Sequence, residues 1–434
     1  MKIPSITTYP IKLLSGLANN DDSLTAMIAK DWIGDAATVY TYKKNGGKDD
    51  GREKAIEEFG TGAIWLFGIP AVKKLIDKTI YPLLKLDDKF DPRVLDDKEA
   101  LNKIKNLANG SEKELFNNLD KANPVLKKFT NAQMYKGLAI GKFLVATAAA
   151  AFGLTQIIKF KQKTTSDRII NDNKNNCSFK QQSLLSKSVN QNKTFEAFTS
   201  SKKGNQPSFT GGLAEFMYNP IKNTMILDGV ITATRLKEAR KGERGEVLFK
   251  EACQIGMIYL FPKLFDKATA LIGKMTKCPI GLDPKNLFKN DLGQMINNSK
   301  GTIETLKECA KNSGGELLEE LSNLAKDNNP IIELLENEGV ISLTKDKKLS
   351  FLTQIDNDAV VSALDNLKDM GDNISNLNKS RAFKTAAVIT NVLLGVVMMG
   401  IVQPKITIWL RKKLFGTNEN PAIAQQEKNA KINA

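Results

Sequence analysis

The chain has 434 residues, enough for two or three ordinary domains and a sizeable core. Its 63 basic and 48 acidic side chains leave a formal charge of +15, carried overwhelmingly by Lys, with Arg scarce and Asn abundant. It has no histidine, which excludes Ser-His-Asp and Cys-His catalysis, His-ligated zinc and the commonest general base. Arg is the better reader of phosphates and bases, so a Lys-dominated charge with no recognition motif points away from a nucleic-acid partner. Cys177, Cys253, Cys278 and Cys309 lie far apart and form no CxxC pair, so neither a zinc cluster nor a disulfide framework is expected. Free thiols in a reducing compartment are the simplest account. No metal and no cofactor are expected.

The N-terminal MKIPSITTYPIKLLSGLANNDD is not a signal peptide: its apolar run is short and broken by Pro10 and Lys12. Ser23 to about Lys44 reads as a helix, with cap oxygens on Asn20 to Ser23 and a stop at Asn45-Gly46-Gly47. KKNGGKDDGRE reads as a charged loop, and a second helix opens near Arg52 and is punctuated by Pro70 and Pro82. Within it lies FGTGAIWLFGIPAVKKLIDK, an aromatic apolar run followed by a basic-acidic-basic tail. Amphipathic helices follow from about Lys98 to Leu126. Gly137 to Ile158 carries one charge, Lys142, and is long enough to span a bilayer. From Thr164 to Thr210 the composition turns to Ser, Asn, Lys and Gln, which reads as a flexible linker.

The second half opens at YNPIK and continues with a helix from about Thr224 to Lys241, the loop KGERGE and the aromatic stretch IGMIYLFPKLFDK. Soluble helices are expected over Leu287 to Glu336, and a small β-hairpin insertion over 340–352. A polar helix runs to about Leu377. Thr385 to Gln403 is uncharged and is the strongest transmembrane candidate, ending at Pro404 with basic IWLRKK beyond. The tail 416–434 is expected to be disordered.

These features recur in one order. Gly34 to Phe67 aligns without gaps on Asp228 to Phe261, pairing Thr38 with Thr232, Glu57 with Glu251 and Trp65 with Tyr259. Lys74 to Lys78 then meets Lys263 to Lys267, and Gly153 to Gln156 meets Gly400 to Gln403. The expected fold class is therefore mainly α, an internally duplicated helical protein whose units each end in a long apolar, candidate transmembrane helix. The division is 1–163 for the first helical repeat unit, 164–210 for the linker, 211–415 for the second unit and 416–434 for the tail.

The aromatic stretches are too short to cross a bilayer on their own, so the expectation is two crossings, with these stretches at the interface or packed in protein. Trp65, Phe67, Tyr259, Phe261 and Trp409 are the candidate interface aromatics. Asp35 and Asp228 are the candidate functional acids, each beside a glycine in an apolar helical run, one per unit. No catalytic constellation stands out, and no enzyme is expected. The leading expectation is a membrane-associated protein with a structural or interaction role, at an inner or cytoplasmic membrane, with the lipid bilayer as partner and a protein partner or self-association beside it. A small transporter or channel component is the alternative, for which Asp35 and Asp228 would face the solute path. A soluble cytoplasmic protein with its apolar helices in the core is the third.

Overall fold

The computed structural model describes residues 8–18, 24–86, 102, 132–176, 220–240, 242–343, 348–350 and 355–432. These residues are mainly helical, and no strand forms among them. Helices α1 (Thr8–Ala18) and α2 (Leu24–Asn45) precede α3, which runs unbroken over Lys48–Leu83. Then come α4 (Ala132–Asn176), α5 (Pro220–Glu238) and α6 (residues 244–275). Six shorter helices follow: α7 (Pro284–Leu287), α8 (Leu292–Asn298), α9 (Lys300–Asn312), α10 (Gly314–Lys326), α11 (Pro330–Asn337) and α12 (Asn357–Asp372). The last long helix, α13 (Ile374–Phe415), opens with a 3-10 turn, and α14 (Pro421–Ile432) ends the described chain.

Pro70 and Pro404 do not end their helices. In α3, α6 and α13 a five-residue π turn precedes the proline: Ile64–Gly68 before Pro70, Gly256–Leu260 before Pro262, and Met398–Val402 before Pro404. A helical proline has no N–H to give, and its ring collides with the carbonyl four residues back. Widening the turn moves that carbonyl away. The residue before each proline then bonds five residues back, as Ile69 N–H does to the Ile64 carbonyl and Gln403 N–H to that of Met398. The helix thus bends its ladder around the proline and continues, so the aromatic stretch at Phe59 is part of a long helix.

Helices α2 to α6 and α13 form a bundle. Gly51 lets α2 and α3 touch, since a Cβ there would meet the Lys43 Cα at 2.7 Å. Gly400 does the same for α13 on α2: a Cβ would stand 2.8 Å from the Gly34 carbonyl oxygen and against Ala37. The Thr41 hydroxyl donates to the Gly400 carbonyl at 2.9 Å, and the Lys30 ammonium donates to Asn391 at 2.9 Å. Helices α4 and α5 run parallel. Leu227 packs with Phe143 and Ala146, Ile231 with Leu154 and Ile158, and the Gln162 amide donates to the Glu238 carbonyl.

By length and composition, α3, the Met134–Asn171 part of α4, and α13 are each able to cross a membrane. Their most apolar windows are only 17%, 28% and 28% buried. Leu144, Val145 and Phe152 on α4 face outward, as do Ile389, Leu393 and Val397 on α13. Helices α7 to α12 instead bury their apolar faces together, around Leu282, Leu306, Leu321, Leu334 and Leu364, and this core takes in Tyr81 of α3 and Tyr135 of α4.

Several expectations are corrected. Of the β-hairpin expected at 340–352, the described residues show an antiparallel bridge between Leu343 and Leu349 but no strand; residues 344–347 and 351–352 lie outside them. Ile341 and Leu349 pack into the helical core. KDDGRE lies in the first turns of α3, not in a loop. The flexible linker expected from Thr164 begins as helix, because α4 continues to Asn176; residues 177–210 lie outside the described residues. The tail expected to be disordered holds α14, where Asn420 accepts from the Ala422 N–H at 2.9 Å and Ile423 is buried. The helices expected from Lys98 to Leu126 lie, save residue 102, outside the described residues.

Candidate functional site

The first turns of α3 place Asp50, Glu53, Lys54, Glu57, Glu58 and Thr61 on one face, at the three-to-four-residue spacing of a helix stripe. That stripe is charged, yet all six side chains are buried. Burying unpaired charges is prohibitive. Here α4, α5, α6 and α13 each bring a partner. Lys161 of α4 meets Glu57 at 2.8 Å. Arg235 of α5 lies 3.3 Å from Glu58 and 3.4 Å from Glu57, donates to the Thr61 hydroxyl at 3.0 Å, and also pairs with Glu251 of α6. Lys250 pairs with Glu58, and Arg240 with Glu53. Arg411 of α13 joins Asp50 and Glu246, the latter at 2.7 Å, and lies over the Tyr42 ring. The result is one ionic clamp holding α3, α4, α5, α6 and α13 at one end of the bundle.

Next to this clamp lies a cavity of about 310 Å³ between α2, α3, α5 and α6. Glu58, Thr61, Arg235 and Glu251 line it on the clamp side. Its other walls are Trp32, Trp65, Pro70, Ile231, Ile255 and Ile258. Three further carboxylates face it: Asp31 and Asp35 from α2, and Asp228 from α5. Asp35 is only 6% exposed. No hydrogen bond or ion pair reaches Asp31 or Asp35 among the described residues, whereas Asp228 accepts from the Tyr259 hydroxyl at 2.5 Å.

The structure therefore brings Asp35 and Asp228 to one cavity, from opposite halves of the chain, with Trp65 as a wall and Tyr259 behind Asp228. The other singled-out aromatics lie elsewhere. Phe67 and Trp409 are exposed, Trp409 beneath the Lys413 ammonium, and Phe261 packs on Phe265 with ring centroids 5.7 Å apart. Sequence reasoning missed Asp31, Glu58 and Arg235. The signal for Glu58 was present in the stripe spacing of KDDGREKAIEEF, hidden by reading its first half as a loop. Among the described residues no three Asp, Glu or Cys side chains converge closely enough to hold a metal ion.

No protein-family model, curated protein or solved structure matches this chain, so the chemistry rests on the geometry alone.

Proposed function

We propose that the chain is an integral membrane protein made of two related helical units that enclose a solute site at their seam, and that it works as a small transporter or channel component. The observation that carries this reading is the meeting of Asp35 and Asp228, one from each proposed unit, in a single cavity. Two parallels support the duplication: α2–α3 and α5–α6 share order and direction, and α3 and α6 each hold a π turn before a proline. Membrane insertion is supported by the outward apolar faces of α3, α4 and α13, since soluble proteins rarely expose apolar patches of that extent. A bilayer covers such a band on all sides at once. The membrane reading is favoured over a soluble one because the apolar windows of these helices are only 17%, 28% and 28% buried.

A scaffold role is the second reading, and the ionic clamp favours it, because it ties five helices at one end without needing a ligand. The two readings part at Asp35 and Asp228. In a scaffold, converting both to Asn replaces two buried carboxyl groups that no ion pair holds and leaves the protein as stable or more so, with no functional loss.

Insertion is tested by fractionation: the protein is expected to stay in the membrane pellet through a carbonate wash, and its release would overturn insertion.

A further inference from the structure

The ligand class can be read from which charges in the cavity are already satisfied. Among the described residues Arg235 is the only cation lining the cavity, and it is held by Glu57, Glu58 and Glu251. Lys250 adds a second cation on Glu58. These pairs leave Asp31, Asp35 and Asp228, none with an ion-pair partner among the described residues, facing the same space. Asp35 is the sharpest case: a carboxylate only 6% exposed, lining the cavity, with no partner among the described residues. A buried carboxylate of this kind is stabilised by a cation brought from outside.

We propose that the cavity binds an organic monocation with an apolar body, a quaternary or protonated amine. The inference rests on reading the cavity as a solute site. An inorganic ion is disfavoured on two grounds. The acids do not converge to coordinate one. The space, about 310 Å³, falls at the lower end of the range of small-molecule sites, about 300–1,000 Å³. An anion is disfavoured because the lining guanidinium already faces the carboxylates of Glu57, Glu58 and Glu251. The walls fit the rest of such a ligand. Trp32 and Trp65 place two indoles in the wall, and indole is the best aromatic partner for an alkylammonium. Pro70 and Ile231 offer apolar surface for its body.

The test uses the full chain purified in detergent. The protein has three tryptophans, two of which line the cavity, so Trp409→Phe confines the intrinsic fluorescence to Trp32 and Trp65. Choline and benzyltrimethylammonium are titrated beside 3,3-dimethyl-1-butanol, the uncharged isostere of choline, and benzoate. The expected result is saturable quenching by the two cations, with the neutral isostere weaker by about ten-fold or more. Asp35→Asn is expected to weaken the cations by a similar factor and leave the alcohol unchanged. Asp31→Asn is the second variant, should Asp35→Asn not give a monodisperse protein. Equal binding of cation and alcohol, or preference for benzoate, overturns the cation assignment while leaving the solute site standing. Failure of every probe to quench overturns both.

Discussion

Glu338, at the end of α11, shows how a single side chain links packing to pH. Its carboxylate accepts from the Asp283 N–H at 3.0 Å on both oxygens and from the Asn286 amide at 2.6 Å. It thereby ties α11 to the start of α7. Burial nonetheless dominates and pushes its pKa from 4.5 up to about 7. The sign follows from proton binding. Between those two values the folded state holds the proton and the unfolded state has released it, so stability falls as pH rises through this window. Glu338→Gln keeps an acceptor oxygen for Asn286 and has no proton to lose. The expected outcome is that amide exchange of α7 and α11 speeds up from about pH 5 to pH 7 in the native chain, and that this pH-dependent loss of protection disappears in Glu338→Gln. Exchange free energies corrected for the intrinsic pH dependence of amide exchange would measure it. An equal slope in both proteins would exclude Glu338 as its source.

At the scale of elements, the prolines separate what was legible in the sequence from what was not. The apolar windows at Gly137 and Thr385 identify α4 and α13 because length and lack of charge need no tertiary information. Pro70 and Pro404 read as stops, since a proline removes one helical bond and blocks another. The π turns that rescue continuity depend on a neighbour. Gly400, four residues before Pro404, would be left with a bare carbonyl, and Thr41 of α2 supplies the missing donor at 2.9 Å. Nothing within residues 398–404 reveals that donor. The prediction is a coupling. Thr41→Val is expected to cost about 1 kcal/mol with Pro404 present. Pro404→Ala restores a backbone N–H that can serve the Gly400 carbonyl, so in that background the same Thr41→Val change should cost markedly less. A double-mutant cycle on thermal unfolding in detergent measures the difference. Additive effects would show that Thr41 does not stand in for the lost donor. The alternation in VISLTKDKKLSFL was likewise visible, but the packing of Ile341 and Leu349 into the core of α7 to α12 was not.

At the scale of the whole molecule, the ionic clamp decides how the two halves hold together. Asp35 and Asp228 were legible because an acid in an apolar run is anomalous on its face. The clamp was not, because Glu57, Arg235 and Lys161 look like ordinary charges until five helices meet around them. Arg235 is its centre, shared by Glu57 and Glu58 of the first half and Glu251 of the second. Removing one member of a buried network costs more than the network contributes, because its partners stay buried and unpaired. Arg235→Met is therefore expected to destabilise by about 3–5 kcal/mol. Arg235→Lys keeps the charge but loses the fork that reaches several carboxylates at once, and should fall between. The diagnostic case is compensation. Adding Glu251→Gln to Arg235→Met removes the carboxylate that Arg235 alone pairs and should recover part of the loss, whereas adding Glu58→Gln instead would strand Lys250 and deepen it. Unfolding midpoints across this series separate a clamp of mutually dependent charges from a set of independent surface pairs, for which each further substitution would only add to the damage.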